Sequence, residues 1–542
     1  MIKTEKINRI IFIISLCILT TLSWLPVLSV PFINDDFQIL GFHLNKNFLT
    51  AFEPFWQKDI SQYYWRPLGN LLHPFMLITF GFNALPFRIL SLLLNIFCGV
   101  TLYKVLSKFK ISDSVSMIIS VLFCLLPSHE FQYTWIADQG EILLAILLLF
   151  SFYNYSSLFI KNERKEFLIY SIVLFLAAAL VKETAYAGIL IPWLGFINSD
   201  KTWRVELKRT LLNTFYFALV ILTLVLYRVL VIGSSPLESN HFASINPVSM
   251  IINFIIYFFL VFFPPEVLEW LQYNAKNFFV IIPISVVTIL LIIFVVRIFI
   301  KLPVNRKKIF FIGIAWFIIF ILPAVPVLMR WYGFTASIGI MISLAVIAEA
   351  IIEKLKWKRI LYYLVAFIFI ILCFINFNKM QYWKAAGDKL KFALGELSKE
   401  KTKSTILIWA IPDKLNRIPM MKLGVRETVQ WALNDNNVQV FAPLRVELIG
   451  NEPGIQLNSA STTELQFEAN GARFMKEGGK SKFILENEIE RYRYEGNEYE
   501  IITSFDKNKL YSKVKIRLNQ KPDTNFDQFY FDGEKFVRLE MK

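Results

Sequence analysis

The chain has 542 residues, 56% of them hydrophobic and 16% aromatic, and its mean hydropathy is +0.50. A soluble protein of this size cannot bury so much apolar surface in its cores, which excludes a soluble globular enzyme. The formal net charge of +15 does not point to nucleic acid, because residues 1–377 hold 30 of the 57 Lys/Arg but only 19 of the 42 Asp/Glu, so most of the excess lies between apolar runs, where it reports topology.

The first apolar run, 10–30, follows Lys3, Lys6 and Arg9. It exceeds a signal-peptide core and lacks a small-x-small cleavage site, which predicts an uncleaved first span. Further spans are predicted at 86–106, 114–127, 139–157, 167–181, 184–198, 210–231, 278–297, 309–327, 334–352 and 358–377, eleven in all. Basic clusters separate them: Lys104/Lys108/Lys110, Lys161/Arg164/Lys165, Lys201/Arg204/Lys208/Arg209, Arg297/Lys301/Arg306/Lys307/Lys308 and Lys354/Lys356/Lys358/Arg359. With the N-terminal three they account for 22 of the 30 basic residues in this part and are expected on the cytoplasmic side. The other eight, Lys46, Lys58, Arg66, Arg88, Lys182, Arg228, Lys276 and Arg330, then fall on or near the opposite face. Two further apolar stretches, 67–82 and 248–263, would break this alternation and are expected to lie at, or re-enter, the outer surface. Cys17, Cys98, Cys124 and Cys373 all sit in apolar runs and read as small hydrophobes, with no disulfide framework or metal set.

The character changes after Phe377. Residues 378–542 are polar, with a helix-like stretch at 382–397 and β-type runs at 405–411, 438–442, 482–485, 499–503, 513–518 and 529–531, punctuated by turn signals such as Asn434-Asp435-Asn436-Asn437 and Asp532-Gly533. The expected fold class is an α-helical polytopic membrane protein with a C-terminal extracytoplasmic α+β domain. Its expected domains are 1–377, in which 31–85 forms the first extracytoplasmic loop with juxtamembrane helices, and 378–542.

Chemistry is expected at the outer helix ends. Asp35 and Asp36 follow the first span, and two adjacent carboxylates at the membrane edge repel each other, which suits one to act as a base; Asn34-Asp35-Asp36 also fits an N-cap for a helix over 37–44. His129 and Glu130 follow the third span, Asp138 and Glu141 open the fourth, Lys182-Glu183 separates two short spans, and Arg330 precedes the tenth. Ionisable residues at membrane depth are costly and tend to be functional. Taken singly, His129 also reads as a solvated loop residue, Lys182-Glu183 as a local ion pair and Arg330 as a snorkelling anchor.

Phe32–Asp36, Tyr64-Trp65-Arg66-Pro67-Leu68, Pro127-Ser128-His129 leading into 135–144, Leu180-Val181-Lys182-Glu183 and Arg330-Trp331-Tyr332 resemble, in order, the motifs of GT-C membrane glycosyltransferases, and in particular the PMT/TMTC-like protein O-mannosyltransferase group. The resemblance implies a polyprenyl-phosphate-linked sugar donor, transfer with inversion to an acceptor hydroxyl, and an outward-facing cavity. It assigns Asp35 and Asp36 to catalysis, Arg330, Lys182 and Arg66 to the donor phosphate, and His129, Glu130, Glu183 and Tyr332 to substrate binding. The segment departs from the family where Glu130 directly follows His129 and where Asp138-Gln139 replaces Gly-Arg, and the tail lacks tetratricopeptide periodicity. No cofactor is required, although a divalent metal could bridge Asp35, Asp36 and the phosphate. The acceptor is a protein, a glycolipid or a surface polysaccharide, and the setting is membrane lipid, with a bacterial inner membrane expected and no nucleic acid. A flippase or transporter would instead line a path across the bilayer with its ionisable residues, and a scaffold would use the C-terminal domain for envelope partners.

Overall fold

In the computed structural model, the structure describes residues 2–41, 43, 47–57, 65–160, 165–199, 202–233, 246–264, 266–267, 270–271, 274, 278–354, 358–400, 403–449, 453–461, 463–476, 482–486, 489–495, 499–519 and 526–539. Its internal contacts divide the chain into two units. The first comprises Met1–Leu25, Lys46–Gly81 and Pro86–Asn378, and the second Pro26–Asn45, Phe82–Leu85 and Lys379–Lys542. The 31–85 stretch is therefore divided between them. Tyr64, which the motif reading included, lies outside the described residues.

In chain order the helices are α1 (Ile2–Trp24), α2 (Asp36–Gly41), α3 (Pro67–Phe80), α4 (Ala84–Lys108), α5 (Asp113–Leu125), α6 (Glu130–Thr134), α7 (Gln139–Ile160), α8 (Lys165–Val181), α9 (Ile191–Asn198), α10 (Trp203–Tyr227), α11 (Pro247–Phe262), α12 (Phe278–Ile300), α13 (Val304–Ile321), α14 (Gly333–Lys354), α15 (Lys358–Glu400) and α16 (Val425–Leu433). Among the described residues eight helical segments are long and apolar enough to cross a membrane, and α5 with the Pro127–Thr134 segment passes the same test only as a pair bent by 46°, the form of a broken span or a re-entrant loop. Pro127 stands at that bend, where its missing N–H interrupts the helical ladder. Ile282–Ile300 buries none of its apolar window inside the protein. A helix that is apolar on every exposed side is stable only in hydrocarbon, so the chain is a helical polytopic membrane protein.

Two of the eleven expected spans take another form. The stretch at 167–181 is α8, whose 17 residues rise about 26 Å, just short of the roughly 30 Å hydrocarbon layer. The stretch at 184–198 begins as a 3-10 helix, Glu183–Leu190, and becomes α-helical only at α9. Of the stretches expected to stay at the surface, α3 has 14 residues and α11 has 16, both too short to span. The expected break between 377 and 382 is absent, and α15 runs unbroken for 43 residues.

Within the first unit α13 and α14 approach closely, because a side chain at Gly339 would place its Cβ 2.3 Å from the Gly313 carbonyl oxygen. The second unit's strands are β1 (Thr405–Ile408), β2 (Ile411–Leu415), β3 (Ile418–Pro419), β4 (Gln439–Phe441), β5 (Leu444–Leu448), β6 (Gly454–Ala460), β7 (Glu464–Asn470), β8 (Ala472–Lys476), β9 (Lys482–Glu486), β10 (Ile489–Glu495), β11 (Tyr499–Asp506), β12 (Tyr511–Leu518), β13 (Asp527–Phe531) and β14 (Phe536–Arg538), and among the described residues they form three sheets of order β14-β13-β1-β4, β6-β7-β12-β11-β10-β9 and β3-β2-β5-β8. Alternating burial along β7 (Glu464–Asn470) and β12 (Tyr511–Leu518) sets Leu465, Phe467, Val514 and Ile516 in the core. The opposite face carries charge pairs such as Lys513 and Glu468, 2.7 Å apart and directly opposite in register. The expected β runs at 499–503, 513–518 and 529–531 fall on strands, and the run at 405–411 is divided between two strands by a bend at Trp409 and Ala410. The Asn434 signal also ends α16, in a left-handed conformation with φ of 49°.

Candidate active site

In the first unit, charged side chains meet at the helix ends around residue 182. Lys182 breaks the helical path between α8 and the following 3-10 helix, with an extended backbone at φ −161° and ψ 144°. That break sends its side chain and that of Glu183 to different partners. Lys182 Nζ lies 2.6 Å from Glu141 Oε2 on the first turn of α7, and Glu141 Oε1 accepts a 2.7 Å hydrogen bond from Thr335 Oγ1 on α14. Lys182 Nζ also stands 4.5 Å from the centre of the Tyr332 ring. Lys182 and Glu141 are both buried. Burial alone would lower the Lys182 pKa, but the Glu141 carboxylate, with Tyr332 and Asp138 adding to it, raises it overall. The ammonium therefore stays charged.

Glu183 turns to two guanidinium groups. Its Oε2 accepts from Arg66 Nε at 2.8 Å, and its Oε1 stands 3.8 Å from Arg228. Arg66 precedes α3, and α3 reaches this position through Gly69, where a Cβ would come 2.6 Å from the Val181 carbonyl oxygen. Arg228 opens a π-helical turn, Arg228–Ile232, at the end of α10. Such turns recur at functional sites because they redirect a side chain. Lys182 and Glu183 are thus not a local ion pair.

The Arg330–Tyr332 turn is held from two sides. Tyr257 Oη of α11 donates to the Val327 carbonyl at 2.8 Å and accepts from the Met329 N–H at 2.8 Å. Gln132 Nε2 bonds the Trp331 carbonyl at 3.3 Å and Asp138 Oδ2 at 3.2 Å. The backbone of Arg330 opens the turn, and its side chain lies outside the described residues. His129, which also read as a solvated residue, is buried. Its ring packs between Phe123 and Phe334, with centroids 4.8 and 4.6 Å away, and Nε2 meets Ser337 Oγ at 3.2 Å. Glu130, also buried, opens α6.

Asp35 and Asp36 belong to the second unit. Asn34, left-handed at φ 57°, donates its N–H to the Met420 carbonyl at 2.7 Å and accepts from the Leu423 N–H at 3.0 Å. Asn34 Nδ2 donates to Asp35 Oδ1 at 2.6 Å, and the Ile33 N–H donates to Asp36 Oδ2 at 3.2 Å. Asp36 thus bonds backwards onto the turn and opens α2, which is described to Gly41; residues 42 and 44 of the expected 37–44 helix lie outside the described residues. Asp36 is 0% exposed and Asp35 7%, so Asp35 is the more accessible carboxylate. Among the described residues no group of three or more His, Cys, Asp or Glu side chains is placed to hold a metal.

No protein-family model matches the chain, and no curated protein matches it. Solved structures resemble it weakly. ArnT from Cupriavidus metallidurans bound to undecaprenyl phosphate aligns with a TM-score of 0.44 and 10% identity over 81% of this chain and 92% of that one. The same protein in the apo state aligns with a TM-score of 0.44 and 9% identity over 82% and 93%. The archaeal oligosaccharyltransferase AglB from Archaeoglobus fulgidus, in complex with an inhibitory peptide and a dolichol-phosphate, aligns with a TM-score of 0.40 and 13% identity over 82% and 70%. At these scores the chemistry has to be argued from this chain's own residues.

Of the residues singled out in the sequence, the structure brings Arg66, Lys182, Glu183 and Tyr332 into one neighbourhood. Two members of that neighbourhood carried no site assignment. Glu141 was read only as an outer-end carboxylate, and Arg228 only as one of the basic residues opposite the cytoplasmic clusters. Arg228 had a signal of its own, as the one charged residue in the apolar 210–232 run.

Proposed function

We propose that the chain is a membrane glycosyltransferase that moves a sugar from a polyprenyl-phosphate donor to an acceptor hydroxyl on the extracytoplasmic side. The observation that supports it is the meeting of four motifs far apart in sequence. Arg66 reaches Glu183 across 117 residues, Lys182 lies against the Tyr332 ring, and Gln132, just after His129, bonds Trp331 across 199 residues. These are four of the five motifs whose order resembles the GT-C enzymes.

The chemistry requires a bond from the acceptor oxygen to the anomeric carbon to form as the bond from that carbon to the phosphate oxygen breaks. The phosphate leaves with the electron pair, and the acceptor proton passes to a carboxylate. Charge grows on the departing phosphate as the sugar becomes oxocarbenium-like. A cation fixed in a poorly hydrated setting stabilises that charge without reorganising. Lys182 suits this task, because Glu141 uses one of its three N–H donors and keeps it protonated. Arg66 and Arg330 are its proposed partners at the phosphate, with Glu183, Tyr332, His129 and Glu130 around the substrate. Asp35 or Asp36 is the proposed base, and its greater exposure favours Asp35. Mannose is the first donor sugar to test, with protein, glycolipid and polysaccharide as acceptors.

The test is transfer from a panel of polyprenyl-phosphate sugars to membrane acceptors in nanodiscs, with products identified by mass spectrometry. Asp35→Asn should abolish transfer in a protein that still inserts and folds. Full transfer by both Asp35→Asn and Asp36→Asn would sink the assignment of the base, and no transfer from any donor by the wild type would sink the activity.

A further inference from the structure

The second unit contains a half-open cavity of about 350 Å³, at the small end of ligand-pocket volumes. Phe32, Phe37, Phe82, Trp431, Leu390 and Leu394 line it, and among the described residues Lys391 is its one charged lining residue. The four rings form a closed circuit of contacts, with centroid separations of 6.3 Å for Phe32–Phe37, 6.1 Å for Phe32–Phe82, 5.1 Å for Phe37–Trp431 and 5.8 Å for Phe82–Trp431. Phe32 and Phe37 are 4% and 3% exposed, and the half-buried Phe82 and Trp431 rings carry the wall's remaining open apolar surface.

The lining also adjoins the membrane-spanning helices. Leu28 and Ser29 end the segment Ile10–Ser29, Ala84 and Leu85 begin Ala84–Lys108, and Leu390 to Leu394 lie on Arg359–Glu400. Leu85 is 42% exposed at the start of its helix, where an apolar side chain is stable beside lipid. An occupant that enters here comes from the membrane boundary, meets aromatic rings and leucines, and has one cation to satisfy.

We propose that this cavity binds one chain of an anionic membrane lipid, its hydrocarbon against the four rings and its phosphate at Lys391. The proposal does not depend on the glycosyltransferase reading. It fits a lipid in particular because the apolar lining and the ammonium match the two ends of one amphiphile, and because Leu28, Ser29, Ala84 and Leu85 of the lining stand at the ends of their spans.

The test places the full-length protein in nanodiscs of phosphatidylglycerol or phosphatidylcholine with brominated acyl chains, since bromine quenches tryptophan only near contact. Trp431 is one of 13 tryptophans, so its share is the difference between wild type and Trp431→Phe. Brominated phosphatidylglycerol should quench that share more strongly than phosphatidylcholine. Lys391→Gln should weaken the preference about fivefold. Leu394→Phe, which fills the cavity, should remove the Trp431 quenching and leave that of the other tryptophans unchanged; Leu390→Phe serves if the first variant fails to fold. Absence of Trp431 quenching, its persistence in the filled variants, or equal quenching by the two lipids would overturn the proposal.

Discussion

Lys182 and Glu183 are neighbours in sequence whose charges are satisfied in different directions, one by Glu141 and the other by Arg66 and Arg228. Breaking a buried pair by removing one partner leaves an uncompensated charge, which costs about 3–5 kcal/mol. Glu141→Gln should therefore lower stability by that order in thermal unfolding in detergent. The double variant Glu141→Leu/Lys182→Met should recover most of that loss and still transfer no sugar, which separates a structural role from a functional one. Lys182 should contribute no pH dependence near neutrality. Because the Lys182 pKa is raised in the folded state, its contribution is fully present below the unfolded value of about 10.4 and is lost only as pH rises through the folded one. His129 shows the limit of residue type as a guide. The sequence places it at a helix end, while Phe123 and Phe334 enclose it.

At the scale of elements, the site depends on how closely α3 lies to the end of α8. Gly69 permits that approach, since any Cβ there would sit 2.6 Å from the Val181 carbonyl oxygen. Gly69→Ala should push α3 outward and draw Arg66 away from Glu183. A displacement of about 1 Å at a positioning group costs roughly a hundredfold in rate, so kcat for transfer should fall on that scale while the protein still inserts. Unchanged kcat would show that Arg66 does not need its Glu183 contact. Hydrophobic periodicity finds α3 as an apolar stretch but cannot show that its glycine faces a backbone carbonyl. The strands at 499–506 and 511–518 were legible for the opposite reason, because alternation and turn residues are local signals. Short strands such as β5 (Leu444–Leu448) were not, since pairing partners complete them.

At the scale of the molecule, the basic clusters predict one orientation, with the N-terminus inside and the C-terminal domain outside. Single cysteines replacing Lys110, Lys301 and Lys507 in a cysteine-free background test it directly. An impermeant thiol reagent applied to intact cells should label position 507 and spare 110 and 301 until the membrane is opened. Labelling at 110 or 301 in sealed cells would reverse the orientation and remove the extracytoplasmic reading of the site.

The sequence by itself determined that the chain is a polytopic helical membrane protein with a polar, strand-rich tail, because apolar run length, charge bias and alternation are local consequences of the hydrophobic effect. It also picked out Lys182 and Glu183 as ionisable residues at an outer helix end, while Arg66 and Tyr332 were marked by their resemblance to the GT-C motifs. Only the tertiary structure decided their pairing, since an ion pair across 117 residues depends on which helices pack together. The same holds for Asp35 and Asp36. Their place in the chain suggests a loop after the first span, but their partners are Ile33, Asn34 and, through Asn34, Met420 and Leu423. Backbone hydrogen bonds that distant are made by folding and have no signature in the dipeptide.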